Sequence, residues 1–308
     1  MEIGRLEAFV QVATLLSFSK AAEALYLTQP TVTARIQALE RELGEPLFER
    51  MGRTIRLTDA GDSFMPHAQR ALQAVKEGRD AILTLRNVDR GTLSIGTAPT
   101  IGTYVLPELL ERFGHDHPGV EVSIRTGRSE EVMSMVLADE VQVGFERFLT
   151  HPEIETVTLY EDQIYLMASP RHSFARRSHV ALSDVARDSV IFFDEGSSYH
   201  ALSIGIFRDT GVAPRRTLDV DNLEMAKHLV MRGLGLAFLP RVAVERELSK
   251  GSIVEIKIAD SQPISRQIAT IYRRQRLQSR AMLALLEMLK EIYAFEYPNV
   301  DRLAAGSS

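Results

Sequence analysis

Residues 19–43 constrain the fold of this chain more than any other stretch, because they contain two short helical patterns separated by a break. In the first pattern Ala22, Leu25 and Tyr26 repeat at helical spacing, with Ser19 in position to cap the helix. The second pattern follows a two-residue break and carries one narrow apolar stripe. That stripe consists of Val32, Ile36, Leu39 and Leu43. Two short helices joined by a tight turn are therefore predicted.

The face of the second helix opposite that stripe is small and polar. Pro30 lies in the first turn, where the missing N–H of proline costs little. Around it are amide, hydroxyl and guanidinium groups of the kind that contact base edges and phosphates. They belong to Gln29, Thr31, Thr33 and Arg35. The periodicity alone fits equally a solvated surface helix of an ordinary bundle and a helix that enters DNA.

The flanking segments favour the second interpretation. Before the pair, a further amphipathic helix that can pack across it is predicted by Leu6, Phe9, Val10 and Ala13. After the pair, Gly44 is a natural residue to end a helix, and residues 46–58 predict two very short strands around a turn at Met51-Gly52. The wing formed by this turn carries Arg50, Arg53 and Arg56. The segment therefore predicts a winged helix–turn–helix, which is a DNA-binding unit.

Positive charge for DNA binding comes here from the placement of arginines and not from the sum of charges. The chain has 36 Lys and Arg against 41 Asp and Glu, a net charge of −5. Its first 58 residues hold seven basic and seven acidic side chains. The wing has three arginines and no acid after Glu49.

Three segments occur in order at a characteristic spacing: LEAFVQVA, SFSKAAEALYLTQPTVTARIQALERELGEPLFER and RLTDAG. They resemble the amino-terminal domain of LysR-type transcriptional regulators. The resemblance implies that the wing with Arg53 lies over the DNA backbone or minor groove. It also implies a set of residues facing the major groove, namely Gln29, Pro30, Thr31 and Thr33. Position 34, often basic in relatives, is Ala34 here, so base contacts are expected to shift to Arg35.

The composition is that of a soluble globular protein, with 45% hydrophobic and 25% charged residues, and 308 residues suffice for two or three domains. Zero cysteines exclude disulfides, thiolate catalysis and Cys-based zinc sites, and fit a reducing compartment. A basic segment followed by an apolar core is absent at the start, and no apolar run reaches the length of a membrane span. We expect a cytoplasmic protein without membrane contact, metal or cofactor.

A long helix is predicted from Thr58 to about residue 88. Its apolar and small residues recur as a heptad seam at Phe64, Ala68, Ala71, Val75, Gly78, Ile82 and Leu85. The seam fits packing onto the domain's own core or onto a partner helix, and three heptads favour the partner. Pro66 is expected to kink the helix or to end its first segment. The resemblance likewise implies dimerisation through this helix, and residues 87–91 predict a hinge.

From residue 92 the pattern changes to short β-rich runs alternating with helices, which indicates βαβ units and mainly parallel sheets. Two such sets imply two subdomains. The chain crosses between them near residues 160–166, returns near 266–273 and ends in an amphipathic helix at 277–294. This part resembles the periplasmic-binding-protein-like effector domain of LysR-type regulators, so the resemblance covers essentially the whole chain.

The predicted fold class is multi-domain, α and α/β. Residues 1–58 form the winged helix–turn–helix, residues 59–90 the linker helix and hinge, and residues 91–296 the two-subdomain α/β effector domain. Subdomain I spans about 91–162 and 267–296, subdomain II spans about 163–266, and residues 297–308 form a tail.

In such a fold, ligands bind between the subdomains at the carboxyl ends of strands, where helix N-termini present free N–H groups. Three polar loops follow predicted strands at 99–102, 127–129 and 195–198. Any one of them is explained as an ordinary helix cap, whereas three converging on one cleft indicate a site. By resemblance, Thr100 and Ser129 align with effector-contacting positions, and Ser197 and Ser198 face them from the other subdomain.

Arg147 ends the third strand of this region. An arginine forms a planar, bidentate fork onto a carboxylate, so Arg147 fits a ligand acid group. An ion pair with Glu146 or Glu224 at a subdomain rim is an equally good explanation.

These features predict a transcriptional regulator whose operator binding and DNA bending respond to a small-molecule effector, expected to be a small organic acid. The expected partners are double-stranded promoter DNA, the effector and a second copy of the chain. By resemblance the chain forms a homodimer or homotetramer, with RNA polymerase as a further partner. Two alternatives are weaker. An enzyme lacks any nucleophile–base or metal constellation, and a solute-binding protein lacks an export signal.

Overall fold

The structure is a computed structural model that describes residues 1–51, 54–84, 91–259, 264–274 and 278–294. Its amino-terminal unit contains three helices and a two-stranded hairpin. They are α1 (Ile3–Leu15), α2 (Phe18–Ala24), α3 (Gln29–Leu43), β1 (Phe48–Met51) and β2 (Thr54–Leu57). The strands pair antiparallel, with Met51 opposite Thr54.

The apolar stripe of α3 forms the core of this unit. Val32, Ile36 and Leu39 are buried, and Leu43 packs against them while partly exposed. Helix α2 begins one residue after Ser17, whose hydroxyl accepts a hydrogen bond from the Lys20 N–H at 3.3 Å. The expectation that Ser19 caps this helix is therefore wrong, because Ser19 already lies inside the first turn.

Helix α4 (Asp59–Thr84) starts after Thr58, whose hydroxyl accepts from the Gly61 N–H at 3.1 Å. Pro66 lies inside the helix, so the alternative in which it ends a first segment is wrong. The first turns are held against the amino-terminal core by Phe64 and Ala68, which offsets the hydrogen bond that proline removes. Leu85 and residues 87–90 of the predicted hinge lie outside the described residues, as does the side chain of Ile82, whereas Gly91 begins a strand.

The carboxyl-terminal part alternates strands and helices, as the sequence predicts. Its strands are β3 (Gly91–Thr97), β4 (Val120–Thr126), β5 (Val143–Arg147), β6 (Ile154–Ala168), β7 (Ser189–Phe193), β8 (Arg216–Val220), β9 (Leu236–Pro240), β10 (Val254–Ile256) and β11 (Ile264–Arg273). Its helices are α5 (Pro99–Tyr104), α6 (Leu106–Asp116), α7 (Ser129–Leu137), α8 (Leu182–Val185), α9 (Ser198–Asp209), α10 (Leu223–Met231), α11 (Arg241–Ser249) and α12 (Arg280–Tyr293).

These strands form one continuous sheet in the order β4-β3-β5-β11-β6-β9-β7-β8, with β10 added on β6. The two outer groups are parallel: β3 pairs with β4 and β5, and β7 pairs with β8 and β9. The centre is antiparallel, because β6 and β11 run past each other in opposite directions. The expected parallel pairing therefore holds within each group but not where the two groups meet.

Two large hydrophobic cores lie on either side of this centre. We call the part around the first core, which includes Leu93, Phe113, Phe145 and Leu285, the first lobe. The part around the second, which includes Leu166, Val190, Phe207 and Phe238, is the second lobe. Helix α12 packs in the first lobe, so the chain returns there after building the second lobe.

Candidate DNA-binding surface and ligand cleft

The amino-terminal end of α3 is the exposed polar surface of the first unit. Gln29, Pro30 and Thr31 are exposed, and Thr33 is half-buried with its hydroxyl donating to the Gln29 carbonyl at 3.0 Å. Arg35 is different, because its Nη1 donates to the Gly4 carbonyl at 3.1 Å and its guanidinium packs against Gly4. Arg35 therefore ties α3 to α1 in this structure.

The wing is described only in part. Arg50 lies in β1 opposite Ile55, but its side chain is outside the described part of the chain, and Arg53 lies outside the described residues altogether. Arg56 in β2 is exposed. The described part of the hairpin thus presents one exposed arginine, Arg56.

The five residues predicted to contact a ligand line one cleft of about 680 Å³ between the two lobes. They are Thr100, Ser129, Arg147, Ser197 and Ser198. The cleft lies where strands β3, β4, β5, β7 and β8 end, since residues just after or at each of these ends line it. This is the position at which ligands bind in open α/β sheets.

Four helices begin at this cleft, because Leu223 at the start of α10 lines it together with the first residues of α5, α7 and α9. Thr100 lies in the first turn of α5 and Ser129 begins α7, and both are buried. At the start of α9 the Ser197 hydroxyl accepts from the Tyr199 N–H at 3.2 Å. The free N–H groups and the dipoles of helix N-termini favour anions. The cleft therefore gathers hydroxyls and helix N-termini from both lobes.

Arg147 reaches the cleft but is not free. Its Nη2 donates to Glu130 at 2.5 Å, and not to Glu146 or Glu224, which the sequence offered as partners. Glu146 lies on the opposite face of β5 because successive side chains of a strand alternate, and Glu224 pairs with Lys227. Backbone hydrogen bonding at its own N–H, and the Arg147 guanidinium, lower the pKa of Glu130.

Arg266 on β11 is a cleft residue that the sequence analysis did not identify. Its side chain is 10% exposed and contacts Asp162 at 3.1 Å and the Ser198 hydroxyl at 2.8 Å. It also donates to the Tyr199 hydroxyl and lies 4.0 Å from the centre of that ring. Burial raises the pKa of Asp162 and raises that of Tyr199 to about 12. The strand ISRQIATIYR carries several polar residues, so its sequence contains no signal that sets Arg266 apart.

Glu146, which the sequence suggested only as a partner for Arg147, lies buried on β5 near Ser129 at the start of α7. It is 0% exposed, and neither carboxyl oxygen has a hydrogen-bond partner of ordinary geometry within the described part of the chain. Burial raises its pKa to about 8, although Arg147 nearby acts in the opposite direction. The group is therefore a protonated acid at neutral pH.

Arg128 and Asp194 form an ion pair between the two lobes, from the residue before α7 to the residue after β7. Gly196 lies directly against the guanidinium, since a Cβ there would stand 1.4 Å from Arg128 Nη1. Neither residue was singled out from the sequence. Across the described ranges no group of three or more His, Asp or Glu side chains is placed to hold a metal ion, and no helix is long and apolar enough to span a membrane.

Two family models match the chain. One, described as the LysR substrate binding domain, matches residues 86–294. The other, described as a bacterial regulatory helix-turn-helix protein of the lysR family, matches residues 3–62. The matched families and the relatives below are transcriptional regulators and not enzymes, which confirms the preference for a regulator over an enzyme.

Curated relatives span nearly the whole chain. The uncharacterized HTH-type transcriptional regulator YwqM of Bacillus subtilis (strain 168) is 28% identical over 296 residues, which cover 95% of this chain and 100% of that protein. The HTH-type transcriptional regulator CbbR of Rhodospirillum rubrum is 30% identical over 287 residues, which cover 93% and 95%.

Solved structures agree over the same length. The crystal structure of CbnR, a LysR family transcriptional regulator, matches with a TM-score of 0.72 at 27% identity, covering 95% of this chain and 99% of that one. Full-length CbnR in complex with its target DNA matches with a TM-score of 0.71 at 28% identity, covering 95% and 100%. The chain therefore belongs to the LysR family of DNA-binding transcriptional regulators, with an amino-terminal helix–turn–helix and a carboxyl-terminal effector-binding domain.

Proposed function

We propose that this regulator reads promoter DNA with the amino-terminal end of α3 and responds to a small organic acid bound between the two lobes. The acid favours one separation of the lobes, and this changes how the assembled protein bends its DNA. A ligand shifts such an equilibrium only if its affinity differs between the two states.

The convergence of five predicted residues on one cleft carries the ligand proposal. Thr100, Ser129 and Arg147 come from the first lobe, and Ser197 and Ser198 come from the second. Hydroxyls, helix N-termini and guanidinium groups are the donors that hold a carboxylate. A ligand that contacts both groups of residues bridges the lobes and so senses their separation.

The cleft is not simply basic. Arg128, Arg147 and Arg266 are each paired with a carboxylate of the protein. An acidic ligand must therefore bind by exchange for an internal carboxylate, or between the hydroxyls and helix N-termini.

The DNA proposal rests on the exposed end of α3. Gln29, Pro30 and Thr31 lie there side by side, and the major groove is read by residues near the N-terminus of a recognition helix. Arg50 and Arg53 of the wing are proposed to contact the backbone or minor groove. Arg35 contributes to base contacts only if it leaves Gly4.

We further propose that the chain is divided into residues 1–58, 59–90 and 91–296. Two copies pair through α4, and pairs associate through the effector domains into a tetramer that spans two adjacent DNA sites. RNA polymerase is the proposed further partner at the promoter. A protein with these partners acts in the cytoplasm, where the promoter DNA is.

A thermal-shift screen of small organic acids tests the ligand proposal. We expect at least one acid to stabilise the wild-type protein, by about 2.7 kcal/mol at 100 times its dissociation constant. Thr100→Val removes the hydroxyl at nearly constant volume, so it should lose this response and keep operator binding. Thr103→Val is the matched control, because Thr103 lies on the same helix but is exposed and outside the cleft.

Two outcomes would contradict parts of the proposal. If Thr100→Val responds at the wild-type acid concentration, Thr100 only begins a helix. If neutral metabolites stabilise the protein and acids do not, the ligand class is wrong while the cleft stands.

A further inference from the structure

One contact between the two lobes, which we call the first wall, is a buried polar network beside the residues that line the cleft. Lys227 on α10, in the second lobe, is 4% exposed and forms ion pairs with Glu224 at 3.0 Å and Glu247 at 3.1 Å. Its Nζ also lies 3.3 Å from the hydroxyl of Tyr104 on α5, in the first lobe, and 5.1 Å from the centre of that ring. Opening this wall would leave a buried ammonium without one of its partners, so we expect it to stay closed.

The second wall, between α7 and α9, is closed by Arg128 and Asp194, which both line the cleft. Their side chains are 52% and 34% exposed, so water competes for both groups and salt screens the pair. This ion pair joins the two lobes at an exposed position, whereas the Arg266–Asp162 pair is buried on the central strands. The two walls therefore differ in how easily they open.

To break this ion pair, only the Arg128 side chain has to move. The Arg128 N–H donates to the Glu131 carboxylate at 2.6 Å, which fixes the backbone at the start of α7. The Asp194 N–H donates to the Val220 carbonyl at 3.0 Å, which fixes the other side. Gly196 leaves the space that the guanidinium occupies. Rotation of one side chain is enough to break the contact.

The other two arginines of the cleft differ from Arg128, because one is buried and the other is paired within its own lobe. Arg266 is buried against Asp162, Ser198 and Tyr199, so its removal would strand a buried carboxylate. Arg147 is more exposed, but its partner Glu130 lies in the same lobe. Of the three, Arg128 is the one whose exposed ion pair reaches from one lobe to the other.

We propose that Arg128 and Asp194 form the gate of the cleft, on the α7–α9 side, and that an acidic ligand takes Arg128 over from Asp194. When the ligand's acid group occupies the guanidinium, the direct tie between the lobes is released on that side only. Ligand binding is thereby converted into a change of lobe separation. The transfer of Arg128 from Asp194 to a ligand rests on the proposed function. The gate formed by the Arg128–Asp194 ion pair is a property of the protein without ligand.

Spin-label distances in the full chain test the gate without any ligand. The chain has no cysteine, so Ser134→Cys on α7 and Arg208→Cys on α9 label the gate side. Thr103→Cys on α5 and Glu245→Cys on α11 label the first wall. All four positions are exposed. Labelled protein is diluted with unlabelled protein so that only distances within one chain are measured.

We expect Asp194→Asn to lengthen and broaden the gate-side distance and to leave the distance at the first wall unchanged. Glu195→Gln is the matched control, because it removes the same charge one residue away and should change neither distance. High sodium chloride should act on the wild-type protein as Asp194→Asn does, and should add nothing to that variant. An unchanged gate-side distance in Asp194→Asn, or an equal change at both walls, would overturn the gate.

Gly196→Ala opens the gate by a different route. Its Cβ would occupy the place of the guanidinium while both charges remain, so we expect the same lengthening as in Asp194→Asn. Arg128→Glu combined with Asp194→Arg should restore the wild-type distance. If Gly196→Ala leaves the gate-side distance unchanged and the double exchange does not restore it, that distance does not depend on the Arg128–Asp194 ion pair.

Succinate, compared with sodium chloride at equal ionic strength, tests the transfer of Arg128 by thermal shift. Asp194→Asn removes the competing carboxylate, so it should bind succinate about tenfold more tightly than the wild-type protein. Arg128→Gln should bind it about tenfold more weakly. If the two variants bind succinate with equal affinity, the proposed transfer of Arg128 from Asp194 to the ligand is wrong. The gate itself is then tested by the distance measurements alone. Failure of the cleft itself would show instead as an unaltered acid response in Thr100→Val.

Discussion

The buried environment of Glu146 disfavours its charged form, and this has a consequence for stability. Its pKa is about 8 in the folded protein, against an ordinary value of 4.5, because burial disfavours the carboxylate. Between these pH values the folded state holds a proton that the unfolded state has lost. The free energy of unfolding must therefore fall as pH rises through this window.

We predict that this decrease reaches at most about 1.4 kcal/mol per pH unit for the single group. Glu146→Gln has no proton to lose, so its free energy of unfolding should fall less steeply than that of the wild-type protein from about pH 5 to about pH 8. Denaturant titrations at several pH values measure the difference. The lowered pKa of Glu130 acts elsewhere, since its contribution is lost only as pH falls below 4.5. Parallel curves for the two proteins would contradict the assignment.

Gln29 is the residue on which sequence reading by α3 most depends. Its side chain is exposed, and Oε1 accepts from the Ser19 hydroxyl at 3.2 Å, which orients the amide. We predict that Gln29→Ala loses about 1–3 kcal/mol of binding to the specific operator and keeps salt-sensitive binding to random DNA. Gln37→Ala, two turns further along the exposed face, is the control. Fluorescence anisotropy with both DNAs measures the effects, and an unchanged operator affinity in Gln29→Ala would remove it from the reading surface.

The sequence predicted which residues meet in the cleft better than it predicted their partners. The local pattern of a strand followed by a helix found the loops that carry Thr100 and Ser129, and the resemblance to LysR-type regulators singled out these two residues. The partner of Arg147 could not be found this way, because Glu130 is 17 positions away and reaches it only in the folded lobe. Arg128 and Asp194 are 66 positions apart, and nothing near either one in sequence points to the other.

Among the helices and strands, the sequence predicted those with a clear local pattern. It missed elements with a weak pattern and pairings between distant positions. Helix α3 was predicted because its apolar stripe is complete within 15 residues. Helix α11 and the three-residue strand β10 were missed, since α11 buries only Ala243 and Val244 and β10 is too short to show alternation. The antiparallel pairing of β6 with β11 joins positions 100 or more residues apart, so no local pattern specifies it.

Helix α4 supports a prediction about assembly. Its first turns pack onto the amino-terminal core through Phe64 and Ala68, but further along Val75 is 40% exposed and Gly78 faces open space within the described chain. Only the first half of the heptad seam of α4 therefore packs on the amino-terminal core. A partner helix is the expected cover for an apolar face at heptad spacing.

Val75→Asp should therefore place like charges opposite each other in a dry interface, with loss of dimers and of operator binding. Ala74→Asp is the control, because it lies beside the seam, where charged residues are ordinary in coiled coils. Sedimentation at several concentrations measures assembly, and circular dichroism checks that the effector domain stays folded. An unaltered oligomer in Val75→Asp would exclude pairing through this seam.

At the scale of the whole molecule, the two lobes are joined by more than a hinge. The central strands β6 and β11 pair along ten residues, and both contribute to the cores on either side of the cleft. One core cannot unfold without exposing strands on which the other is built. The amino-terminal core shares no residue with either. The molecule should therefore unfold as two cooperative units, with both lobes in one unit.

Calorimetry of three core variants tests this division. Leu→Ala substitutions at buried positions cost about 2–5 kcal/mol, so each should lower the transition of its own unit. Leu166→Ala in the second lobe and Leu285→Ala in the first lobe should lower the same transition, whereas Leu39→Ala in α3 should lower the other. Separate transitions moved by Leu166→Ala and Leu285→Ala would show that the lobes fold independently. A ligand between the lobes would then stabilise their contact, and the shared sheet would not be what transmits its binding.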